Sequence, residues 1–409
     1  MANSTITTSL VTRYAVKEFL NAMVLCKAVD RQVDSQFRKV GDTVTVRRPV
    51  YFEATSGATL STADDVIEGS VAVQLDQRQK VHFEFSSQEL TLDIEEFNER
   101  YIKPAMQELV QKVESDIAGE YKNIYNFVGT PGTKPSSFTN VGEASATLNL
   151  LGVPTESMDR KAFYGPLEMI QISNGLTTVF PNKIATSAIE RASIGAYAGF
   201  GDIVECQSLK SHTVGALGGT PLVDGAAQNV TYLASKDTYT QTLNIDGMGA
   251  TVTDYFLAGD VITIAGVNSV NRRTREDTGE LQTFVVTADA TSDPGGSAAI
   301  TISPPIITSG AYQTVTAAPA DNAAITVKTG TAGTSYKQNL AFHKDAITLA
   351  MAPLDLPTAG AEASRETMDG ISIRAVAQYD VTNDKNVYRF DILYGTVTQN
   401  PGFAVRTTS

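Results

Sequence analysis

Asp93-Ile94-Glu95-Glu96-Phe97-Asn98-Glu99-Arg100-Tyr101-Ile102-Lys103-Pro104-Ala105 opens the segment on which the architecture turns. From Asp93 to Phe127, the residues Ile94, Phe97, Tyr101, Ala105, Leu109, Val113, Ile117, Tyr121 and Ile124 recur every three or four positions, the period of one helix face. Glu95, Glu99, Lys103, Glu108, Lys112, Glu114 and Glu120 fill the other side, so this helix is predicted to lie on a surface. Asp93 with Glu96 three residues on makes an N-cap with a capping-box partner. At about 1.5 Å per residue the helix would span roughly 50 Å, and Pro104, which lacks a backbone N–H, predicts a kink. Gly129-Thr130-Pro131-Gly132-Thr133-Lys134-Pro135 ends it.

Upstream, Leu10 to Asp30 reads as a helical arm with Leu10, Tyr14, Lys17, Leu20, Val24 and Ala28 near helical spacing. The face is only partly apolar, and an arm this short needs a neighbouring surface to stay helical. Gly41-Asp42-Thr43-Val44-Thr45-Val46-Arg47-Arg48-Pro49 reads as a turn and a strand, which Pro49 stops. Val71, Val73 and Leu75, then Val81, Phe83 and Phe85, keep one odd parity and so are predicted to share a sheet face. Between the strands, Phe52 to Ser70 is rich in Ala, Ser, Thr, Gly and Asp. It is predicted to be a long excursion between two strands that pair at their bases, and loops of this length are usually functional or disordered.

Downstream, Asp159 to Gly199 mixes a strand near Ala162, a helix opening at Pro166 and a helical stretch from Ile184 to Ala192. After His212-Thr213-Val214-Gly215 the composition shifts to Thr, Ala, Gly and Val, with no helical period until about Tyr336. Val261-Ile262-Thr263-Ile264, Phe284-Val285-Val286, Ala299-Ile300-Thr301-Ile302 and Ala324-Ile325-Thr326-Val327 are short strands at the spacing of a small β-barrel, which reads as an insertion. Asn339 to Leu354 resumes the body, and Ile371 to Tyr379, the turn Thr382-Asn383-Asp384-Lys385 and Val387 to Leu393 form an antiparallel hairpin.

Length and charge bound the function. A chain of 409 residues exceeds one ordinary core, and 42% hydrophobic with 19% charged residues is globular. A net charge of −13 disfavours tight nucleic-acid binding; it suits a container wall along which DNA slides and equally ordinary acidic solubility, and charge alone does not separate the two. Cys26 and Cys206 are the only cysteines, without a CxxC pair, so a reducing compartment is expected. The N-terminus has no basic segment before an apolar run, and no stretch reaches ~18 uninterrupted apolar residues, so neither export nor a membrane span is expected.

Little points to chemistry. The three histidines, His82, His212 and His343, read as solvated or hydrogen-bonded residues, and a Cys206–His212 pair has nothing to orient the base. No HExxH, GxSxG or CxxC occurs, and Gly129 to Lys134 has the wrong spacing for a phosphate loop. Asp64-Asp65 with Glu68 lacks the regular spacing of a calcium loop. Neither catalytic residues, a cofactor nor a metal is expected.

Taken together, the element order resembles the Hong Kong 97-type capsid fold of tailed bacteriophages, an α+β architecture, here with an inserted all-β barrel as in the coat proteins of P-22-type podoviruses. Gly41 to Pro49 is similar to that family's lead-in to its extended loop, and Glu99-Arg100-Tyr101-Ile102-Lys103-Pro104-Ala105 resembles the start of its spine helix. Ala258 to Val267 and Leu281 to Asp289 look like its inserted domain, and Asn339 to Ala346 with Asp391-Ile392-Leu393-Tyr394-Gly395 look like the return into the body. The resemblance implies residues 1–42 as N-terminal arm, 43–85 as extended loop with flanking strands and 86–150 as peripheral domain with spine helix. It further implies 151–213 as the first part of an axial domain, 214–337 as the inserted barrel and 338–409 as the return.

It also implies pentamers and hexamers forming an icosahedral procapsid that expands on filling with double-stranded DNA. The partners implied are further copies of the chain, a scaffolding protein, a portal protein and a packaging motor, with no membrane, while the need for a decoration protein is left open; assembly would take place in the host cytoplasm. Between Val50 and Gln79 there is no Lys, so the loop-lysine cross-link of some relatives is not expected. The spine helix begins too early for an N-terminal scaffolding segment, so the scaffold is expected to be a separate chain. Assembly contacts are expected at Phe52, Asp64, Asp65, Glu68, Arg47, Arg48, Arg272, Arg273 and Arg275, although the arginine cluster beside Glu276, Asp277 and Glu280 also reads as a solvated turn. The competing reading is a β-rich soluble binding or adhesion module, which would not need a helix of some 35 residues beside a long projecting loop.

Overall fold

The computed structural model describes residues 8–31, 43–53, 66–86, 97–155, 159–179, 194–358, 360–383 and 385–409. Asp64, Asp65, the Asp93–Glu96 cap, the Ile184–Ala192 stretch and Asp384 of the hairpin turn lie outside these residues. In chain order the first elements are α1 (Thr8–Ala22), β1 (Thr43–Arg47), β2 (Ser70–Gln74), β3 (Gln77–Ser86), α2 (Lys103–Gly119) and β4 (Phe127–Val128). Then come α3 (Phe138–Leu150), β5 (Arg160–Tyr164), α4 (Pro166–Val179), β6 (Asp202–Glu205), β7 (Ser211–Thr213) and β8 (Gly219–Val223). A single turn, α5 (Tyr232–Ser235), precedes β9 (Gln241–Met248), β10 (Val261–Val270), β11 (Asp277–Val286), β12 (Ala298–Ser303) and β13 (Ile325–Val327). The chain closes with β14 (Ser335–His343), β15 (Ile347–Met351), β16 (Glu362–Met368), β17 (Ile371–Asp380), β18 (Lys385–Thr398) and β19 (Ala404–Thr408).

Contacts divide the chain into two compact units. The first comprises residues 1–46, 72–117 and 347–397. Its sheet runs β15-β18-β17-β16, and β3 pairs with β18 from Gln77↔Tyr394 to Ser86↔Lys385. The expected hairpin is present, with Arg374↔Asp391 through Asp380↔Lys385 in register. β2 and β3 keep their odd parity but do not share one sheet as expected, because β2 pairs only with β1. The strands flanking Phe52 to Ser70, β1 and β2, do pair with each other as predicted. Val73, Leu75, Ala350, Ala352, Leu354 and Leu393 make a core cluster. Gly395 is needed there, because a Cβ on it would sit 2.1 Å from the Gln74 carbonyl oxygen.

The arm differs from its predicted face. α1 buries Thr8, Val11, Thr12, Ala15, Val16 and Phe19, while Lys17 is exposed. These small side chains bring the helix close to the sheet of its own chain, where Thr12 Oγ1 lies 2.7 Å from Ser364 Oγ. Close packing on β16 and β17 outweighs the larger but more polar Tyr14 and Lys17 face.

The long helix starts, among the described residues, with a π-helical turn at Asn98–Ile102 and continues through α2 into a 3-10 turn at Glu120–Asn123. The wide turn sits directly ahead of Pro104, where a proline ring would otherwise collide with the carbonyl four residues earlier. The helical path ends at Asn123, four residues short of the predicted Phe127, which belongs to β4. Glu114 is also not on a solvated face. It is buried, and its carboxylate accepts hydrogen bonds from the Val24 and Leu25 N–H groups at 2.5 and 2.7 Å, capping a 3-10 turn at Leu25–Lys27. Burial raises its pKa above the ordinary value, partly offset by those donors.

The second unit comprises residues 47–71, 118–346 and 398–409. One sheet runs β4-β19-β14-β5-β6, with β7 on β14. The helix at Pro166 appears as predicted, whereas α3 was not anticipated. Ser137 caps α3, exchanging hydrogen bonds with Asn140 in a capping box that uses Asn in place of Glu or Gln.

The other sheet, β13-β10-β11-β12-β9-β8, is antiparallel and closes on itself through the Leu222↔Ala324 bridge and the hydrogen bonds Val223 N–H to Ala323 O and Asn322 N–H to Val223 O. Its interior holds Leu243, Ile245, Ile262, Ile264, Phe284, Val286, Ile300 and Ile302. Val261 and Val285 point the opposite way into a second cluster with Tyr125, Tyr232 and Tyr239, which explains why Val261 to Ile264 reads as an unbroken apolar run. A bulge bends β10 between Thr263 and Asn268, where Gly266 takes a φ of +79°. The chain leaves the first sheet at Thr213 and returns at Ser335, and these two residues pair directly, Ser335↔Thr213. The ends of the barrel segment therefore lie side by side, the geometry in which an insertion disturbs its host least.

Candidate assembly surface

The extended loop is held at both legs. Arg48 N–H donates to Gly69 O at 2.8 Å, joining the legs, and Arg47 forms an exposed ion pair with Glu68 at 3.0 Å. Ser70 N–H and Oγ both reach Asp237 Oδ1 at 3.0 Å, which holds the Asp237 carboxyl below its usual pKa. Tyr312 Oη donates to Ile67 O at 2.8 Å, and Arg275 Nη2 to Phe52 O at 2.9 Å. Gly69 permits this approach, since a Cβ there would lie 2.4 Å from Lys236 O. Residues of the barrel segment thus clamp the loop base, a link between positions some 170 to 250 apart in sequence that no local pattern could reveal.

Beyond the clamp, Phe52 and Val66 stand on either side of residues 54–65, 72% and 58% exposed. Phe138 and Leu150 on α3, with Leu167 and Ile170 on α4, are further large apolar side chains left in water. Solitary exposed apolar residues are ordinary, but groups of them mark contact surfaces.

The arginines separate into two kinds. Arg47 and Arg273 are exposed. Arg48 instead turns inward, only 8% exposed, with its guanidinium 5.0 Å from the Tyr239 ring centre; desolvation by burial lowers its pKa. Arg272 is not part of a solvated turn either. It donates to the Tyr125 hydroxyl at 2.6 Å and to the Tyr239 hydroxyl, because the aromatic cluster below offers acceptors that water would otherwise supply. Neither Arg272, Arg273 nor Arg275 forms an ion pair with Glu276, Asp277 or Glu280; Asp277 is taken by Asn268 Nδ2 at 3.0 Å.

The histidine with the most organised surroundings is His212, in β7 and buried. Its Nε2 lies 2.9 Å from Asp260 Oδ1 and its Nδ1 3.2 Å from Tyr121 Oη. Asp260 also accepts from Thr329 Oγ1, Gly215 N–H and Leu257 N–H, so its lone pairs are committed to holding three chain segments together. Arg406, fully buried, covers the Tyr121 and Phe127 rings and donates to Gly259 O; burial lowers its pKa to about 10. The network ties β7 to the residues around 121, 215, 257 and 329, while the Cys206 N–H donates to Tyr164 O at 2.9 Å. Among the described residues, no group of three His, Cys, Asp or Glu side chains is arranged to hold a metal ion, and no helix is long and apolar enough to cross a membrane.

An arm lying on a sheet, a loop held at both legs, a long helix and a barrel entered and left at one point of an α/β body follow the element order read from the sequence. The chain belongs to the P22 coat protein family, whose model, described as "P22 coat protein - gene protein 5", matches residues 1–406. A "Major capsid protein" of Acyrthosiphon pisum secondary endosymbiont phage 1 is 24% identical over 94% of this chain and 93% of its own length. Similar solved structures include one from Mycobacterium phage Che8, with 13% identity, a TM-score of 0.47 and coverage of 94% of this chain and 90% of that one. The CUS-3 coat protein I-domain is 29% identical across 27% of this chain and 96% of its own, with a TM-score of 0.20. The protein is a phage major capsid protein with an α+β fold, a component of the virion that assembles with copies of itself into the capsid.

Proposed function

We propose that the chain assembles as pentamers and hexamers into an icosahedral shell around double-stranded DNA, by way of a scaffold-assisted procapsid that expands on maturation. Assembly takes place in the host cytoplasm with a separate scaffolding protein and a portal protein, and a decoration protein is a further candidate partner. Residues 214–337 act as an inserted domain on the outline given by the sequence. The observation that carries this reading is the pair Phe52 and Val66, exposed at the two ends of residues 54–65 while the base of the loop is firmly clamped. A rigid base with apolar ends is suited to reaching a neighbouring copy, with the Arg47–Glu68 pair at its margin and the exposed Arg273 as a further contact.

Like-charged subunits at −13 each require apolar and hydrogen-bonded contact to outweigh repulsion, and obligate interfaces of this kind bury ~2,000 Å² or more. The same charge leaves enclosed DNA ungripped. Deleting residues 54–65 is expected to leave a subunit with unchanged circular dichroism that forms no shells by light scattering. Normal shells from that variant would remove the loop from the assembly mechanism.

A further inference from the structure

Arg48, Tyr51, Tyr232, Tyr239, Arg272 and Tyr312 line one small, half-enclosed recess whose remaining wall is backbone and Pro49, Ala311, Asn400, Pro401 and Gly402. Both guanidinium groups lie against the same Tyr239 ring, at 5.0 and 5.6 Å from its centre. Two cations sharing one ring repel each other, and neither has an ion pair with a carboxylate among the described residues. Asp237 supplies Arg48 only with its backbone oxygen, at 3.4 Å, because its carboxylate is turned to Ser70. Arg48 is more than nine-tenths buried, and its Nε has no hydrogen-bond acceptor. Buried charge without a counter-charge is costly, whereas planar guanidinium donors match the oxygens of carboxylate or phosphate.

We propose that this recess binds a small oxyanion, the chemistry shared by inorganic phosphate and a side-chain carboxylate. The ion lies between Arg48 on the loop leg and Arg272 on the barrel segment, with tyrosine hydroxyls as further donors, and so completes the clamp at the loop base. The binding chemistry does not depend on how the shell assembles.

The test is titration of the purified full-length subunit with inorganic phosphate, read by calorimetry and phosphorus NMR against chloride at matched ionic strength. Saturable binding of one phosphate per chain is expected, weakened about tenfold to a hundredfold in Arg48→Gln through loss of charged donors. Arg272→Gln also removes bonds to Tyr125 and Tyr239, so Arg272→Lys serves as the second variant, keeping the charge while losing the planar fork; it too should bind more weakly. Absence of saturable binding, or equal affinity in both variants and the parent, overturns the proposal. Repeating the titration on assembled particles separates the sources. Phosphate retained there identifies a free ion as the occupant, and phosphate bound only before assembly identifies a neighbouring copy's carboxylate.

Discussion

Residues 214–334 bury Leu243, Ile264, Phe284 and Ile302 against one another within one unbroken stretch of chain, whereas the unit holding α1 and the 72–117 segment draws its contacts from three separate stretches. In the barrel, each strand pairs antiparallel with a neighbour, and the segment's ends meet at the Ser335↔Thr213 pair. In the other unit, Glu114 holds residues 24 and 25, Thr12 meets Ser364, and β3 reaches across some 300 positions to β18. Loop-closure entropy must be met before such distant contacts form, so the barrel is expected to gain structure early and the discontinuous unit late.

The comparison breaks most readily in the barrel core. Phe284→Ala is expected to destabilise a fragment of residues 214–337 by about 3–5 kcal/mol, read by denaturant unfolding. The parent fragment should give dispersed amide NMR signals. An unfolded parent spectrum would mean that the barrel depends on its host and that the contrast is false.

In the discontinuous unit, Glu114→Ala leaves two buried N–H groups without an acceptor, at about 1–3 kcal/mol each. Its titration has a definite sign. With the folded pKa raised above 4.5, the folded state binds more protons, so this residue's contribution to stability falls as pH rises from about 4.5 towards the folded pKa and is then constant. Asp391 acts oppositely. Burial alone would raise its pKa, but Arg374 and Arg389 hold it below 3.8, so its stabilising contribution is lost as pH falls below that value. Glu114→Gln should remove the first slope and leave the second, as measured by unfolding at a series of pH values.

Smaller effects sharpen the same contrast. Gly395→Ala forces β18 away from Gln74 and is expected to cost about 1–3 kcal/mol, with no change in the isolated barrel fragment. Glu68→Ala removes only an exposed pair with Arg47 and should change stability by less than about 1 kcal/mol, with the difference vanishing in high salt.

Legibility in the sequence followed the same division. Strands of the barrel and the closing hairpin were readable because each carries its own period, as in Ile371-Ser372-Ile373, and α2 because its apolar stripe is long. The arm's buried face was misread because Thr8, Thr12 and Ala15 are chosen for closeness and not for apolar area. α3 escaped notice because Thr139, Asn140, Gly142 and Thr147 blur its stripe. Of the candidate contacts, Phe52 and Arg47 proved exposed, while the inward turn of Arg48 and Arg272 depends on tyrosines far away in sequence, which neither spacing nor composition encodes.

The central claim is that this subunit is built to be completed by other copies of itself. Electron microscopy of the full-length protein, expressed alone and together with the scaffolding protein proposed above, tests this directly. Closed, hollow particles of uniform size, with density for residues 54–65 lying on an adjacent subunit, are predicted; a population of monomers that never closes, or shells in which that segment touches only its own chain, would contradict the account.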